Sequence, residues 1–234
     1  MSEEETKKLL ELFDPKDKVI LDVGCGDGRY ASVFSKYCKE YVGIDINREI
    51  IDANNNDNTK SNVFYEVADI VKYNGNQHFD IILLSLAFHE IDIKCQGLAL
   101  INMLRLLNAN GIIIILDPAF ENDSFQALWN IAYDSIKFYN HDYSVRHSQE
   151  VIQKALENNL CSIVKKDSLA IPFNFETINE IYEMIVTDDD FKDVMWDSYN
   201  KEKLYDCLCS FLHKKENITI YDKLDITILE KVDD

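Results

Sequence analysis

Val19-Ile20-Leu21-Asp22-Val23-Gly24-Cys25-Gly26-Asp27-Gly28-Arg29-Tyr30 decides how the rest of the chain is read. Its apolar residues, interrupted only by Asp22, have the character of a short buried strand. Glycines at alternate positions (Gly24, Gly26, Gly28) make a turn whose backbone comes close to something. Apolar side chains then recur at Tyr30, Val33, Phe34, Tyr37 and Cys38, the spacing of one helix face. Strand, glycine turn and helix in that order aim backbone N–H groups and the positive end of a helix at a ligand. A tight turn with no ligand is the plain alternative, since three glycines in five residues also make an ordinary loop.

Working outward, residues 3–13 read as a helix ended by Asp14-Pro15. Glu40 to Ile46 reads as a second strand with Asp45 near its end, 23 positions after Asp22. An acid at that place accepts hydrogen bonds from vicinal ribose hydroxyls, or it caps the helix that opens at Asn47. After an Asn-rich loop at 54–62, Val63 to Ile70 makes a third strand that carries Asp69. The run from Phe79 to Glu90 is too continuously apolar to alternate and fits a central parallel strand, so Ser85 to Glu90 arrives at the carboxyl edge where such sheets bind ligands. A helix over 94–107, a turn at Asn108-Ala109-Asn110-Gly111 and a strand over 112–116 follow, with Pro118 as the stop.

A dinucleotide loop needs G-x-G-x-x-G, whereas this chain has Asp-Val-Gly-x-Gly-x-Gly. That pattern resembles motif I of the class I S-adenosylmethionine-dependent methyltransferases, in which the loop passes beneath the methionine part of the cofactor. The resemblance implies S-adenosylmethionine as cofactor and S-adenosylhomocysteine as product. It implies a binding set of Asp22, Gly24, Cys25, Gly26, Gly28, Asp45, Ile46, Asp69, Ile70, Ser85 and Leu86. Asp45 would hold the ribose and Ile46 would pack on the adenine. Asp69 matches the motif III acid that meets the adenine amino group, or else is a solvated acid at a strand end. Ser85-Leu86-Ala87-Phe88-His89 resembles motif IV of the small-molecule enzymes, with Phe88 in place of the first histidine of that pattern and His89 in place of the second. By this resemblance His89 is the candidate catalytic residue, a base taking a proton from a phenol, amine or acid with a reference pKa of ~6.5; otherwise it lines the pocket or bonds to the backbone. The stretch from Leu104 to Ile112 is similar to the family's approach to its fifth strand, with a proline and a glycine replaced. Asp117-Pro118-Ala119-Phe120 looks like the Asp-Pro-Pro-Tyr box of base-methylating enzymes but ends the wrong strand and lacks two of its residues, so no role is assigned to it.

Beyond the sheet, helices are expected over 125–136, from Ser148 as cap to about Asn159, from a capping box at Thr177 to Glu180, and over 191–213; Lys137 to Ser144 reads as an aromatic loop. Strand six is expected over 161–166 and strand seven over 224–231. The expected fold is therefore α/β, a seven-stranded mostly parallel sheet with an antiparallel last strand, helices on both faces and a helical insertion between strands six and seven. The chain reads as one methyltransferase domain over 1–234, with a cofactor-binding core at 19–118 and substrate or lid helices at 119–147 and 172–217.

Composition bounds the partners. At 234 residues and 47% apolar content the chain fills a core without staples. A formal net charge of −18 repels phosphate backbones, which argues against a free-standing nucleic-acid binder. The six cysteines lie at no zinc-site spacing and fit free thiols in a reducing compartment; no signal segment or membrane-length apolar run is found, so a cytoplasmic protein is expected, with no metal and no membrane partner. A homodimer is compatible with the sequence. The expected function is methyl transfer to O, N or C of a small organic metabolite; the alternative is a non-catalytic S-adenosylmethionine-binding sensor or partner subunit.

Overall fold

The computed structural model describes residues 3–119, 125–136, 141–188, 191, 194, 196–213 and 216–232. β1 (Val19–Val23) lies between β2 (Glu40–Asp45) and β4 (Phe79–Ser85), both parallel to it, with Leu21 opposite Val42 on one side and Ile82 on the other. β3 (Val63–Val67) runs parallel to the outer side of β2, and β5 (Leu107–Pro118) parallel to β4. β7 (Glu216–Lys231) and β6 (Cys161–Thr177) complete one sheet of order β3-β2-β1-β4-β5-β7-β6. Strands buried on both faces need no polar alternation, which is why β4 and β5 read as apolar runs.

β6 and β7 are antiparallel. The Ser162 hydroxyl donates to Glu230 at 2.9 Å and the Val232 N–H to the Leu160 carbonyl at 3.3 Å, while Thr219 meets Asn174 at 2.8 Å, so numbers fall on one strand as they rise on the other. The mostly parallel sheet with its reversed last strand and surrounding helices is the expected fold.

Two compact units emerge along the chain: residues 1–117, 144–169 and 225–234, and residues 118–143 and 170–224. In the larger unit Leu21, Val42, Ile82 and Ile113 of the sheet pack with Leu100 and Met103 of α4 (Gln96–Leu106) and Ile152 of α6 (His141–Glu157). In the smaller, α5 (Phe125–Ile136), α7 (Ile178–Thr187) and α8 (Ser198–Leu212) bury Leu128, Ile181, Ile185, Leu204 and Leu208 with Phe191 and Ile218. Most of the stretches expected to close over substrate belong to this smaller unit.

Several local expectations are corrected. α1 (Glu3–Leu12) stops before Pro15 as expected, but the helix after the glycine turn, α2 (Ala31–Phe34), has one turn only and brings no substantial dipole to the loop. Asn54 to Asp57 lie inside α3 (Arg48–Asp57) instead of a loop, because their amides bond tertiary carbonyls: Asn54 to Gly26 at 2.7 Å and Asn55 to Tyr65 at 3.2 Å. α6 begins at His141, so Ser148 sits mid-helix with its hydroxyl on the Val145 carbonyl at 2.8 Å and caps nothing; the loop expected over 137–144 is helical from 141, and 137–140 lie outside the described residues. β6 runs on to Thr177 and β7 starts at Glu216, so the insertion begins and ends as strand. The Thr177 side chain makes no cap bond; Glu180 instead accepts from the Glu176 N–H at 2.8 Å. Among the described residues no helix is long and apolar enough to cross a membrane, and no group of three or more His, Cys, Asp or Glu is disposed to hold a metal.

Candidate cofactor cavity and its buried histidine

A cavity of about 460 Å³ opens over the carboxyl ends of β1, β2 and β4, within the ~300–1,000 Å³ of small-molecule sites. It lies where the chain order reverses between β1 and β4, the switch point at which open α/β sheets bind ligands. Gly24 forms part of its wall with φ +70°, and a Cβ there would stand 2.7 Å from the Ala87 Cβ, so only glycine leaves this surface open. Gly28, also at positive φ, leaves room for the Tyr65 ring.

The acid at the end of β2 is held by backbone. Asp45 Oδ2 accepts from the Gly26 N–H at 3.1 Å and Oδ1 from the Asn47 N–H at 2.9 Å. The cap of α3 is Asn47, whose side chain accepts from Glu49 and Ile50, so Asp45 is left to the cavity. Beside it Ile46 is 76% exposed, an apolar surface in the cavity lining. Asp69 follows β3, accepts from the Val71 N–H at 2.9 Å and pairs with Lys72 at 3.2 Å.

Of the residues singled out from sequence, Gly24, Asp45, Ile46, Asp69, Ile70 and Leu86 line the cavity. Others support it from behind. Asp22 is buried and accepts from the Tyr41 hydroxyl; burial pushes its carboxyl up to about 7 against the lowering effect of that bond. Ser85 accepts from the Tyr30 hydroxyl at 2.6 Å. The N–H groups of Gly24 and Cys25 both go to the Ile44 carbonyl, and that of Gly28 to the Cys25 carbonyl. The loop's donors therefore tie β1 to β2, and what faces the cavity is a bare backbone surface.

Leu86 adopts φ +54°, a left-handed conformation that costs a branched side chain of order 1–3 kcal/mol. The bend sends Phe88 into the core and His89 into a buried polar pocket, while Ala87 and Glu90 line the cavity. His89 Nδ1 lies 2.8 Å from Asp117 Oδ1 and Nε2 3.0 Å from Glu90 Oε1. Ser148 donates to Asp117 Oδ2 at 3.3 Å, the Ser144 hydroxyl donates to the His89 carbonyl, and the Gln96 amide reaches the Phe88 and His89 carbonyls at 3.4 Å. Burial alone would lower the His89 pKa, but the bonds and charges of Asp117 and Glu90 outweigh it and raise it to about 9. Both ring nitrogens face carboxylates, and only the imidazolium donates from both. At neutral pH His89 is a donor with no lone pair to take a proton.

Asp117 was passed over in the sequence because its Asp-Pro box sits on the wrong strand. Its signal was the strand ladder: Leu116 pairs with Ser85, which brings the next residue of β5 beside the segment that ends β4. Ser144 and Ser148, four apart on α6, carry no signal until their helix is known to pack there.

A Rossmann-like sheet with a ligand cavity at its switch point, walled by a glycine and by an acid ending the second strand, defines a nucleotide-binding type of α/β protein. Residues 21–115, from β1 into β5, match the model of a methyltransferase domain. An uncharacterized methyltransferase of Schizosaccharomyces pombe is 31% identical over 117 residues, 45% of this chain and 40% of that protein. YcgJ of Bacillus subtilis shares the fold with a TM-score of 0.64 at 17% identity, covering 98% of both chains. The N-methyltransferase NodS of Bradyrhizobium japonicum, in complex with S-adenosylhomocysteine, shares it with a TM-score of 0.55 at 12% identity, covering 98% of this chain and 87% of that one. The match to a methyltransferase domain thus covers the β1–β5 part of the chain, and the likeness to the solved structures is one of fold. The chain spans 40% and 61% of the lengths of two curated relatives it matches.

Proposed function

We propose that this protein transfers a methyl group from S-adenosylmethionine to O, N or C of a small organic acceptor. The observation that carries the reading is the pairing, in one cavity, of the Gly24 wall that a Cβ would block with the Asp45 carboxylate fixed by two backbone N–H groups. Those residues fit the cofactor: Gly24 would give its methionine chain a flat passage, Asp45 would accept from the ribose hydroxyls, Ile46 would cover one face of the adenine, and Asp69 would accept from its amino group. The bound sulfonium supplies an already activated methyl group. What the protein would add is alignment of acceptor, methyl and sulfur, which lowers the barrier without any further group chemistry.

The net charge of −18 favours a small acceptor over nucleic acid, and free cysteines fit a reducing, cytoplasmic setting. A homodimer is compatible with this reading. Calorimetry with S-adenosylmethionine and S-adenosylhomocysteine tests the cofactor assignment; absence of binding for both overturns it. Release of S-adenosylhomocysteine across a panel of metabolites tests transfer.

A second reading, a sensor or partner subunit that binds the cofactor without turning it over, draws on the protonated His89, which is no base at neutral pH, and on Phe88 filling the core. Tight cofactor binding with no turnover on any panel member is its outcome.

A further inference from the structure

The glycine loop has one joint that packing leaves open. Gly26 adopts φ +50° and a Cβ built on it would meet nothing within 4 Å, whereas one on Gly24 would meet Ala87 and one on Gly28 would meet Tyr65. A glycine without packed neighbours keeps the widest choice of backbone torsions, so hydrogen bonds decide how its two flanking peptides point. The N–H of Gly26 donates to Asp45 Oδ2 at 3.1 Å, and its carbonyl accepts from the Asn54 side-chain amide at 2.7 Å. The Cys25 thiol adds a weak contact to the same carbonyl at 3.8 Å. Asn54 stands on α3, which is held by other means: Ile51 is buried, and the Asn55 and Asn58 amides donate to the Tyr65 and Val63 carbonyls of β3 at 3.2 Å and 2.8 Å. The second donor on Asp45, the Asn47 N–H, belongs to the cap of this same helix. Both N–H groups that fix Asp45 are therefore referred to one helix, Asn47 directly at its start and Gly26 through Asn54 further along.

On the reading of this cavity as an S-adenosylmethionine site, we propose that Asn54 is a positioning residue for cofactor binding, which through Gly26 holds Asp45 at the angle that serves the ribose hydroxyls. In nucleotide folds a helix packs behind the glycine loop and steadies it. Here α2 has one turn only, and α3 takes over that task from the side. Without the Asn54 amide, the peptide after Gly26 loses its partner and turns, and the N–H before it leaves Asp45. One carboxylate oxygen then stays on Asn47 while the other swings, so the loss falls on the ribose rather than on the whole cofactor.

The test uses the full chain and calorimetry with two probes, S-adenosylhomocysteine and its 2′-deoxy analogue. In the wild type, loss of the hydroxyl should weaken binding about ten-fold, the scale of one hydrogen bond to an ionised acceptor. Asn54→Leu should weaken S-adenosylhomocysteine by a similar factor and shrink the difference between the probes to under about three-fold, because the two losses share one carboxylate. Asn54→Ala, which removes the donor without keeping the volume, should match it. Leucine and alanine are better helix formers than asparagine, so thermal unfolding of either variant should show a folded chain. Asn55→Ala, which removes a neighbouring amide of α3, should leave both probes within about two-fold of wild type. A wild type that binds neither S-adenosylmethionine nor S-adenosylhomocysteine overturns the methyltransferase reading itself. With cofactor binding intact, this inference is overturned and that reading left standing by any of four results: a wild type indifferent to the hydroxyl, Asn54 variants that bind as wild type does, an undiminished difference between the probes, or an equal loss in Asn55→Ala.

Discussion

The two ends of the cavity hold their carboxylates by opposite means. At the β2 end, Asp45 is fixed by the N–H groups of Gly26 and Asn47, parts of the backbone that neither titrate nor change with the side chain. At the β4 end, Glu90 is fixed by His89, which is fixed by Asp117, which takes a bond from Ser148, so every link is a side chain and two of them ionise. The donors of the first arrangement change neither with pH nor with their own side chains, whereas the second can be retuned by single substitutions.

The comparison is broken most directly at His89. His89→Gln removes the cation between two carboxylates and should cost about 3 kcal/mol of stability at pH 6–7 in urea denaturation. The pH dependence has a definite sign. Since the folded pKa, about 9, lies above the unfolded value of ~6.5, this stabilisation is fully present below ~6.5 and is lost as pH rises through 9. The gap between wild type and variant should accordingly narrow by pH 10, and an undiminished gap there would exclude a charged His89. At the other end, Asp45→Ala should weaken S-adenosylmethionine about 100-fold by calorimetry, the scale of two hydrogen bonds to an ionised acceptor, with no such pH dependence. Unchanged binding would remove Asp45 from the ribose.

Gly24→Ala should cost about 2 kcal/mol of stability through its positive φ and the Ala87 contact, and should block the cofactor. Adding Ala87→Gly should recover the steric share alone. Asp22 acts with the opposite sign. Its folded pKa of about 7 lies above the unfolded ~3.9, so the wild type gives up stability as pH rises from 4 to 7.5, by up to ~4 kcal/mol at ~1.4 kcal/mol per pKa unit, and Asp22→Asn should flatten that limb of the denaturation profile.

The sheet was legible because its signals are local. Five apolar runs with acids or glycines at their ends gave β1 to β5 in order, and Asp45 and Asp69 stood out as strand-end acids. The insertion was less legible, since β6 and β7 extend through stretches such as Lys165 to Asn174 whose pairing partners lie 45 residues or more away. Of the Asn-rich segment expected as loop over 54–62, Asn54 to Asp57 are helical through bonds to Gly26 and Tyr65 that no propensity records, while 58–62 are loop. His89 was found, but its state was not. A lone histidine at a strand end carries its reference pKa until Asp117 and Glu90 are known to flank it, and Asp117 meets it only through the β4–β5 register.

Cys25 sits between the glycines of the cavity loop, where an exposed thiol would make the site a target for oxidants. It is instead 4% exposed, and burial together with the charges of Asp22 and Asp45 drives its thiol far above the ordinary cysteine range. Nucleophilic thiolate is thus withheld at Cys25, whereas the half-exposed Cys95 lines the cavity itself and, with Cys207 and Cys209, takes the exposure to peroxide and alkylating reagents. The glycine loop is redox-silent by placement, and a thiol-specific label added to the native protein enters the cavity at Cys95, on the wall before α4, ahead of Cys25.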